Sequence, residues 1–343
     1  MEKSIQNKKE VRTALAIGGL LHDIGKVTLR TLNKDVSRTL HQQVGKEISY
    51  KDTFKYAHAY HTYLFMKEEK IIHPIIKASA YHHNPEKAED GQQIYAKIYQ
   101  LADQFSSVER SEKEKEMELE YLRPIFQMIY LPNTCNDKEE KRKDLYIYKL
   151  KPLAIDEKII FPEKIEEKKD LKPEIEYKDL CNAFKKEFEI CKKFFENDLE
   201  MALYLFYYLC YKYFWCIPSS TYDPERKEKH YPDISLFDHL RVTSAFATSL
   251  FTEYNLNFIK NSSKNLEKDL KLVFIKGDIS GIQNFLYSIT NLKGVAKRLR
   301  GRSLFLTLLS DLLAFSLVNK FEYPFVNILF SGGGHFEIVL GYE

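Results

Sequence analysis

In the stretch "GGLLHDIGKV", residues 18 to 27, a histidine and an aspartate stand side by side among apolar residues. His22-Asp23 alone suits the polar end of a helix as well as it suits a metal. Downstream, though, come His58 in "HAYHT", the doublet His82-His83 in "AYHHNP" and Asp103 in "LADQFSS". Imidazole nitrogen and carboxylate oxygen together suit manganese, iron, nickel or zinc, and a carboxylate set between two groups of histidines can bridge a pair of metals. Two such metals activate a water and clamp both oxygens of a phosphodiester during in-line displacement. Any one of these residues is explained by an ordinary polar helix end; the whole set is not.

Helices must position them. Val11, Ala14, Leu15, Ile17, Leu21 and Ile24 form an apolar stripe over residues 10 to 24 that ends at Gly25. Pro74 is placed to open a helix and Asn84-Pro85 to close it. Ile94, Ile98, Leu101, Ala102 and Phe105 give a further helix at three- and four-residue spacing. The first 125 residues are therefore expected to be mostly helical.

The texture then changes. Between Cys135 and Glu200, 34 of 66 residues are charged, 16 basic and 18 acidic, and this balance of sign favours a solvated insertion over a nucleic-acid arm. An aromatic helix, "MALYLFYYLCYKYFWCIP", follows from residue 201, then the loop "PSSTYDPERKEKHYPD", then helical spacing again in "SLFDHLRVTSAFATSLF". From residue 271 the pattern reads strand, helix, strand, strand: "LVFIKGDIS", "GVAKRLRGRSLFLTLLSDLLAFSLVNK" and "NILFSGGGHFEIVLGY".

Composition bounds the setting. A chain of 343 residues is too long for one ordinary core and implies two or three domains. The five cysteines form no CxxC pair, so neither a disulfide framework nor a zinc knuckle is indicated. The N-terminus has no signal pattern, and the aromatic run is broken by Lys212, so a soluble, cytoplasmic protein with no membrane partner is expected. A net charge of +3 is too small to imply nucleic acid by itself.

The metal-type residues resemble the HD phosphohydrolase superfamily, an all-helical fold whose usual order is His, His-Asp, further histidines, then Asp. Here the pattern around the first histidine occurs late, as "DHLRVTSAFA" with His239. That resembles a circularly permuted HD domain, with its first helix moved toward the other end. "GDISGIQNFLYSI", "LRGRSLFL" and "SGGGHF" in turn resemble the first polymerase/cyclase-like palm of the large subunit of type III-A (Csm-type) CRISPR interference complexes, as do "LLHDIGK", "HHNP", "LADQFSSVER" and "PDISLFDH".

The resemblance implies an α+β chain: a main HD part over 1–125, a charged helical insertion over 126–217, the permuted HD helix and linker over 218–258, and an incomplete ferredoxin-like palm over 268–343. It implies that His22, Asp23, His58, His82, His83, Asp103 and His239 hold one or two divalent transition metals, Mn²⁺ or Ni²⁺ favoured, with His22 and Asp23 catalytic, and that the HD domain cuts single-stranded DNA. It also implies partners: other Csm-type subunits including a small helical one, CRISPR RNA and target RNA.

For the palm, the resemblance implies ATP and cyclic oligoadenylate synthesis, which depends on a GGDD hairpin in a second palm. The hairpin here reads Gly332-Gly333-Gly334-His335-Phe336, so this palm is not expected to catalyse alone, and the chain reads as an N-terminal portion of a longer protein or one piece of a split one. Ser280 and Gly281, at a strand-to-helix turn, could offer backbone N–H groups to a phosphate. The basic run Lys293, Lys297, Arg298, Arg300 and Arg302 fits either a phosphate or a solvated helix face, with Arg300 and Arg302 favoured for the nucleotide. Two other function classes stay open: an HD phosphohydrolase acting on nucleotides, and a non-catalytic scaffold.

Overall fold

The structure, a computed structural model, describes residues 2–31, 50–107, 119–128, 145–166, 171–220, 232–261, 266–288 and 294–343, with the backbone alone described at 2–7, 50 and 267. Lys293 and the greater part of the loop after Ser220 lie outside the described residues.

The first helical part comprises α1 (Glu2–Leu21), α2 (Gly25–Arg30), α3 (Ala57–Glu68) and α4 (Gln93–Ser106), with single turns at Tyr50–Phe54 and Pro74–Lys77. From Arg12 to Asp23 every side chain is buried, so α1 runs through the middle of the bundle rather than along its surface. The stripe expected to continue to Ile24 breaks earlier. α1 stops at Leu21, residues 22–24 form a turn, and Gly25 opens α2 instead of closing α1. His22 and Asp23 are thereby released from a helix surface into a corner.

A two-stranded ribbon, β1 (Leu145–Ile147) with β2 (Glu163–Ile165), precedes α5 (Pro173–Cys191) and α6 (Leu199–Phe214). The solvated reading of this charged stretch holds for one face only. α5 buries Tyr177, Leu180, Phe184 and Phe188, spaced by three and four, into the same core as Leu15 and Ile17 of α1. The sign-balanced charges occupy the outer face.

α7 (Leu236–Leu250) begins at Ser235, whose Oγ accepts from the Asp238 N–H at 3.0 Å and donates to Asp238 Oδ2 at 2.8 Å. It packs along α1, and Gly19 is what lets it approach: a Cβ there would meet Ser244 Cα at 2.5 Å. The Ser244 hydroxyl donates to the Ala16 carbonyl across this contact.

After α8 (Glu253–Lys260), the last part forms β3 (Leu272–Asp278), α9 (Ile282–Tyr287), α10 (Val295–Lys320), β4 (Ile328–Gly332) and β5 (His335–Gly341), in the sheet order β3-β5-β4, all antiparallel. Gly333 and Gly334, both at positive φ, turn the β4–β5 hairpin. α10 is long and apolar enough by composition to cross a membrane. Leu306, Ser310, Ala314 and Val318, one per turn, are instead buried, and Ala314 and Val318 pack with Phe336, Ile338 and Leu340 of the sheet.

The helical part and the sheet are joined through polar groups. Fully buried Asn327 donates from Nδ2 to Val339 O (2.7 Å) and Ser249 Oγ (3.0 Å), while its Oδ1 accepts from Thr248 of α7 (2.8 Å). Arg241, also on α7, donates to Leu329 O at 2.7 Å. Arg12 of α1, 1 % exposed, donates to Phe321 O (3.1 Å) and Tyr323 Oη (3.0 Å).

Candidate metal centre

Three helices and two turns aim seven side chains at one point. His22 and Asp23 come from the corner after α1, His58 from the first turn of α3, and His82 and His83 from the turn that ends the 74–81 helical segment. Asp103 comes from the last turn of α4, and His239 from the first turn of α7. The Asp103 carboxylate Oδ1 lies 3.7 Å from His22 Nε2 and 3.2 Å from His239 Nε2. Asp23 stands between the two histidine groups. Its Oδ2 is 3.3 Å from His239 Nε2 and 3.5 Å from His22 Nε2, and its Oδ1 is 3.5 Å from His58 Nε2 and 3.7 Å from His82 Nε2.

Two sets of donor atoms result, each compact enough to hold an ion: His22, Asp23, Asp103 and His239, and His58, His82 and His83. His22, Asp23, His58, His82 and His239 are all at most 3 % exposed. Asp103 and His83 are only partly buried, so the cluster reaches solvent past these two.

The hydrogen bonds behind the cluster fix which nitrogen faces in. A carbonyl can only accept, so His22 Nδ1–H donates to Gly19 O and His82 Nδ1–H to Ser79 O, each at 2.7 Å, and both rings turn Nε2 toward the cluster. His239 Nδ1 is 3.1 Å from Ser106 Oγ, a hydroxyl that is itself 2.9 Å from the Asp103 carbonyl. The Nε2 atoms of His22 and His239 then face each other at 3.2 Å, and those of His58 and His83 at 2.8 Å. His82 Nε2 and Asp23 Oδ1 are buried with no hydrogen-bond partner. Converging lone pairs and orphaned acceptors call for cations, and this donor set fits divalent transition metals.

The electrostatics agree. Burial opposes ionisation of Asp23, but Lys26 and His22 hold its carboxyl well below the usual range, and His22 and His239 do the same for Asp103. Burial depresses His82 to about 4, assisted by the neighbouring His22, and pushes His83 down as well, so these rings are neutral and available as ligands.

Gly25 sets the corner's depth. A Cβ on it would lie 1.9 Å from His58 O and 2.6 Å from Thr62 N, so only glycine lets α2 meet α3 closely enough to seat His58. Thr62 Oγ1 accepts from Gly25 N–H at 3.0 Å and donates to His22 O at 2.8 Å, tying the corner to α3.

Sequence reasoning passed over Lys26, Ser106 and Tyr56. The Lys26 ammonium is 2.8 Å from Asp23 Oδ2, and the Tyr56 ring packs on His83 at 4.4 Å between centroids. A polar residue beside a ligand has no spacing signature; only the i+3 interval from Asp23 to Lys26 pointed that way.

At the palm the expected nucleotide residues separate. Ser280, Gly281 and Arg300 are exposed, Gly281 at φ +75° ahead of α9. Arg302 is engaged within the fold: its guanidinium donates to the carbonyls of Phe285 and Leu286 and to Ser288 Oγ, closing the C-terminal end of α9. At the hairpin, Asp278 pairs with His335, and Glu337 lies two pairs along on the same face with its carboxylate 2.8 Å from Lys276 Nζ.

An all-helical metal-site bundle completed by a helix from far along the chain, and joined to a strand-helix-strand-strand half of a ferredoxin-like palm, defines the class: a permuted HD domain with a palm. Comparison with known proteins gives the family. The HD domain family matches residues 3–107 and the Csm1 subunit domain B family residues 271–343, so His239 falls outside both matches. The chain is 34% identical over 354 aligned positions, 95% of its length, to the CRISPR system single-strand-specific deoxyribonuclease Cas10/Csm1 (subtype III-A) of Methanocaldococcus jannaschii, and 27% identical to that of Enterococcus italicus, covering 41% of each. Its fold matches crystal structures of Csm1 from T. onnurineus and of a Csm1–Csm4 cassette in complex with cA4. Each aligns with a TM-score of 0.58 at 19% identity over 96% of this chain, and 40% and 39% of theirs. The chain belongs to the Cas10/Csm1 family of type III-A CRISPR systems. It spans about two-fifths of the length of the curated relatives it matches.

Proposed function

We propose that this chain carries the single-strand deoxyribonuclease centre of a cytoplasmic type III-A large subunit. The observation that carries the reading is the placement of Asp23, with Oδ2 toward His22 and His239 and Oδ1 toward His58 and His82. In this reading His22, Asp103 and His239 hold one divalent metal, His58, His82 and His83 a second, Asp23 serves both, and Mn²⁺ or Ni²⁺ suits the mixture of imidazole and carboxylate. The bound metals supply Lewis acidity and lower the pKa of a water to be used as nucleophile. The protein's part is to keep the histidines aimed, through Gly19 O, Ser79 O and Ser106, and to exclude solvent from all but the side of Asp103 and His83.

Relatives named as single-strand-specific deoxyribonucleases and the Csm1–Csm4 cassette support a substrate of single-stranded DNA and a place beside other Csm-type subunits, to which the resemblance adds CRISPR RNA and target RNA. The palm contributes to oligoadenylate synthesis from ATP only with a second, GGDD-bearing palm. Domain limits near 1–125, 126–217, 218–258 and 268–343 fit this division of labour.

The deciding experiment incubates the purified chain with Mn²⁺ and either linear or circular single-stranded DNA, beside nucleoside triphosphates and monophosphates. Metal-dependent cutting of both DNA forms, lost in His22→Ala and Asp23→Ala, is expected. Hydrolysis of free nucleotides in preference to DNA would replace the nuclease with a nucleotide phosphohydrolase, and no turnover of either would leave a scaffold.

A further inference from the structure

We propose that Lys26 is the resident counter-cation of the Asp23 centre, a positioning residue that acts on bound metal through Asp23; this rests on the metal reading above. A lysine is rarely buried unless paired, and Lys26 is 7 % exposed. Its ammonium is held on two sides, by Asp23 Oδ2 at 2.8 Å and by the Ser219 carbonyl at 3.1 Å. With these two partners and 7 % exposure, its charge is directed at the carboxylate.

The oxygen it holds matters. Oδ2 is the atom turned toward His22 and His239, whereas Oδ1, turned toward His58 and His82, accepts no hydrogen bond. A metal on the His22–Asp103–His239 side must share Oδ2 with a fixed positive charge. Like charges a few ångströms apart in a dry site repel strongly. Lys26 therefore balances the Asp23 carboxylate while the chain folds, and then weakens the grip on metal.

This role separates cleanly from support of the fold around it. The segment 217–219 is bound to the lead-in of α7 by backbone alone, Ser219 N–H to Ile234 O at 2.9 Å and Leu236 N–H to Ile217 O at 2.6 Å. Arg30 adds a bond to Pro218 O at 2.9 Å. His239 thus keeps its placement without Lys26, and removal of the ammonium should tighten metal binding, whereas loss of mere structural support should loosen it.

The test is calorimetric titration of the purified chain with Mn²⁺, with free Mn²⁺ followed by its electron paramagnetic resonance. Lys26→Met should bind at least about tenfold more tightly than the parent and Lys26→Arg within about twofold. In chelator, Lys26→Met should melt lower, and adding Asp23→Asn should restore most of the loss, because the carboxylate left uncompensated is then gone. Unchanged or weaker Mn²⁺ binding by a folded Lys26→Met chain overturns the proposal. A parent chain that takes up no Mn²⁺ defeats the metal reading instead, and the melting rescue then decides: if Asp23→Asn restores nothing, Lys26 is no counter-cation.

Discussion

The Nε2 atoms of His22 and His239 lie 3.2 Å apart although 217 positions separate the two residues. His22 commits its other nitrogen to Gly19 O, so the pair is stable only with a proton or a metal between the rings. His239→Ala should lower Mn²⁺ affinity by more than about tenfold, since even partners behind a ligand are worth about 10–100-fold. Ser106→Ala should cost about tenfold by freeing the His239 ring. Titration with Mn²⁺ reads both, and an unaltered affinity in His239→Ala would remove this residue from the cluster.

Asp23→Asn keeps the shape of the bridge and removes its charge. DNA cutting should vanish while the circular-dichroism spectrum stays that of the parent. Near-normal activity would mean that Asp23 serves neither histidine group as a ligand.

Gly25→Ala introduces a single methyl, with no room for it against the His58 carbonyl. α3 must retreat and carry His58 with it. A loss of about 1–3 kcal/mol in denaturant unfolding is expected, as for other overpacked contacts, together with loss of Mn²⁺-dependent activity. An unchanged stability would show that the α2–α3 approach is looser than described.

Acid should destabilise the metal-free chain. His82 and His83 are depressed by burial and by neighbouring histidines, so between about pH 6.5 and 4 the unfolded chain binds more protons than the folded one. Their contribution is fully present above the unfolded value near 6.5 and is lost as pH falls toward 4. His22 runs the other way: burial opposes its ionisation, but Asp23 and Asp103 raise it, which offsets part of the loss. Melting in chelator from pH 8 to 5 should therefore fall with acidification, and His82→Asn should flatten the slope. A melting temperature that rises in acid would reverse the assignment.

The chain alone should make no oligoadenylate from ATP with Mg²⁺ or Mn²⁺. The hairpin tip from Gly332 to Gly334 has no carboxylate, and the nearby Glu337 is paired with Lys276. Product from the purified chain in a radiolabelled-ATP assay would point to Asp278 and Glu337 as an acidic pair.

The metal-type residues were legible because His and Asp at helix ends are conspicuous by type, and the strand-helix-strand-strand end was legible from its alternating and four-residue periods. The union of His22 with His239 had no local signal, since no spacing rule reaches across 217 positions, and only the resemblance suggested it. Lys26 was missed because a lysine just inside a helix usually points to water. The corner at His22-Asp23 was read as helix because apolar residues continue through Ile24; the close α2–α3 contact at Gly25, a tertiary effect, bends the chain first. The core face of α5 was hidden by the charges that surround it.

The late position of α7 also sets an order of events at the ribosome. His22 through Asp103 leave the exit tunnel first, and His239 follows Asp103 by 136 positions, about fourteen seconds of synthesis at ~10 residues per second. Until α7 arrives and docks along α1 at Gly19, the nascent chain lacks one wall of the His–Asp cluster. On the proposed nuclease reading, the site is thus complete only once residue 239 has been made, long after its first ligands.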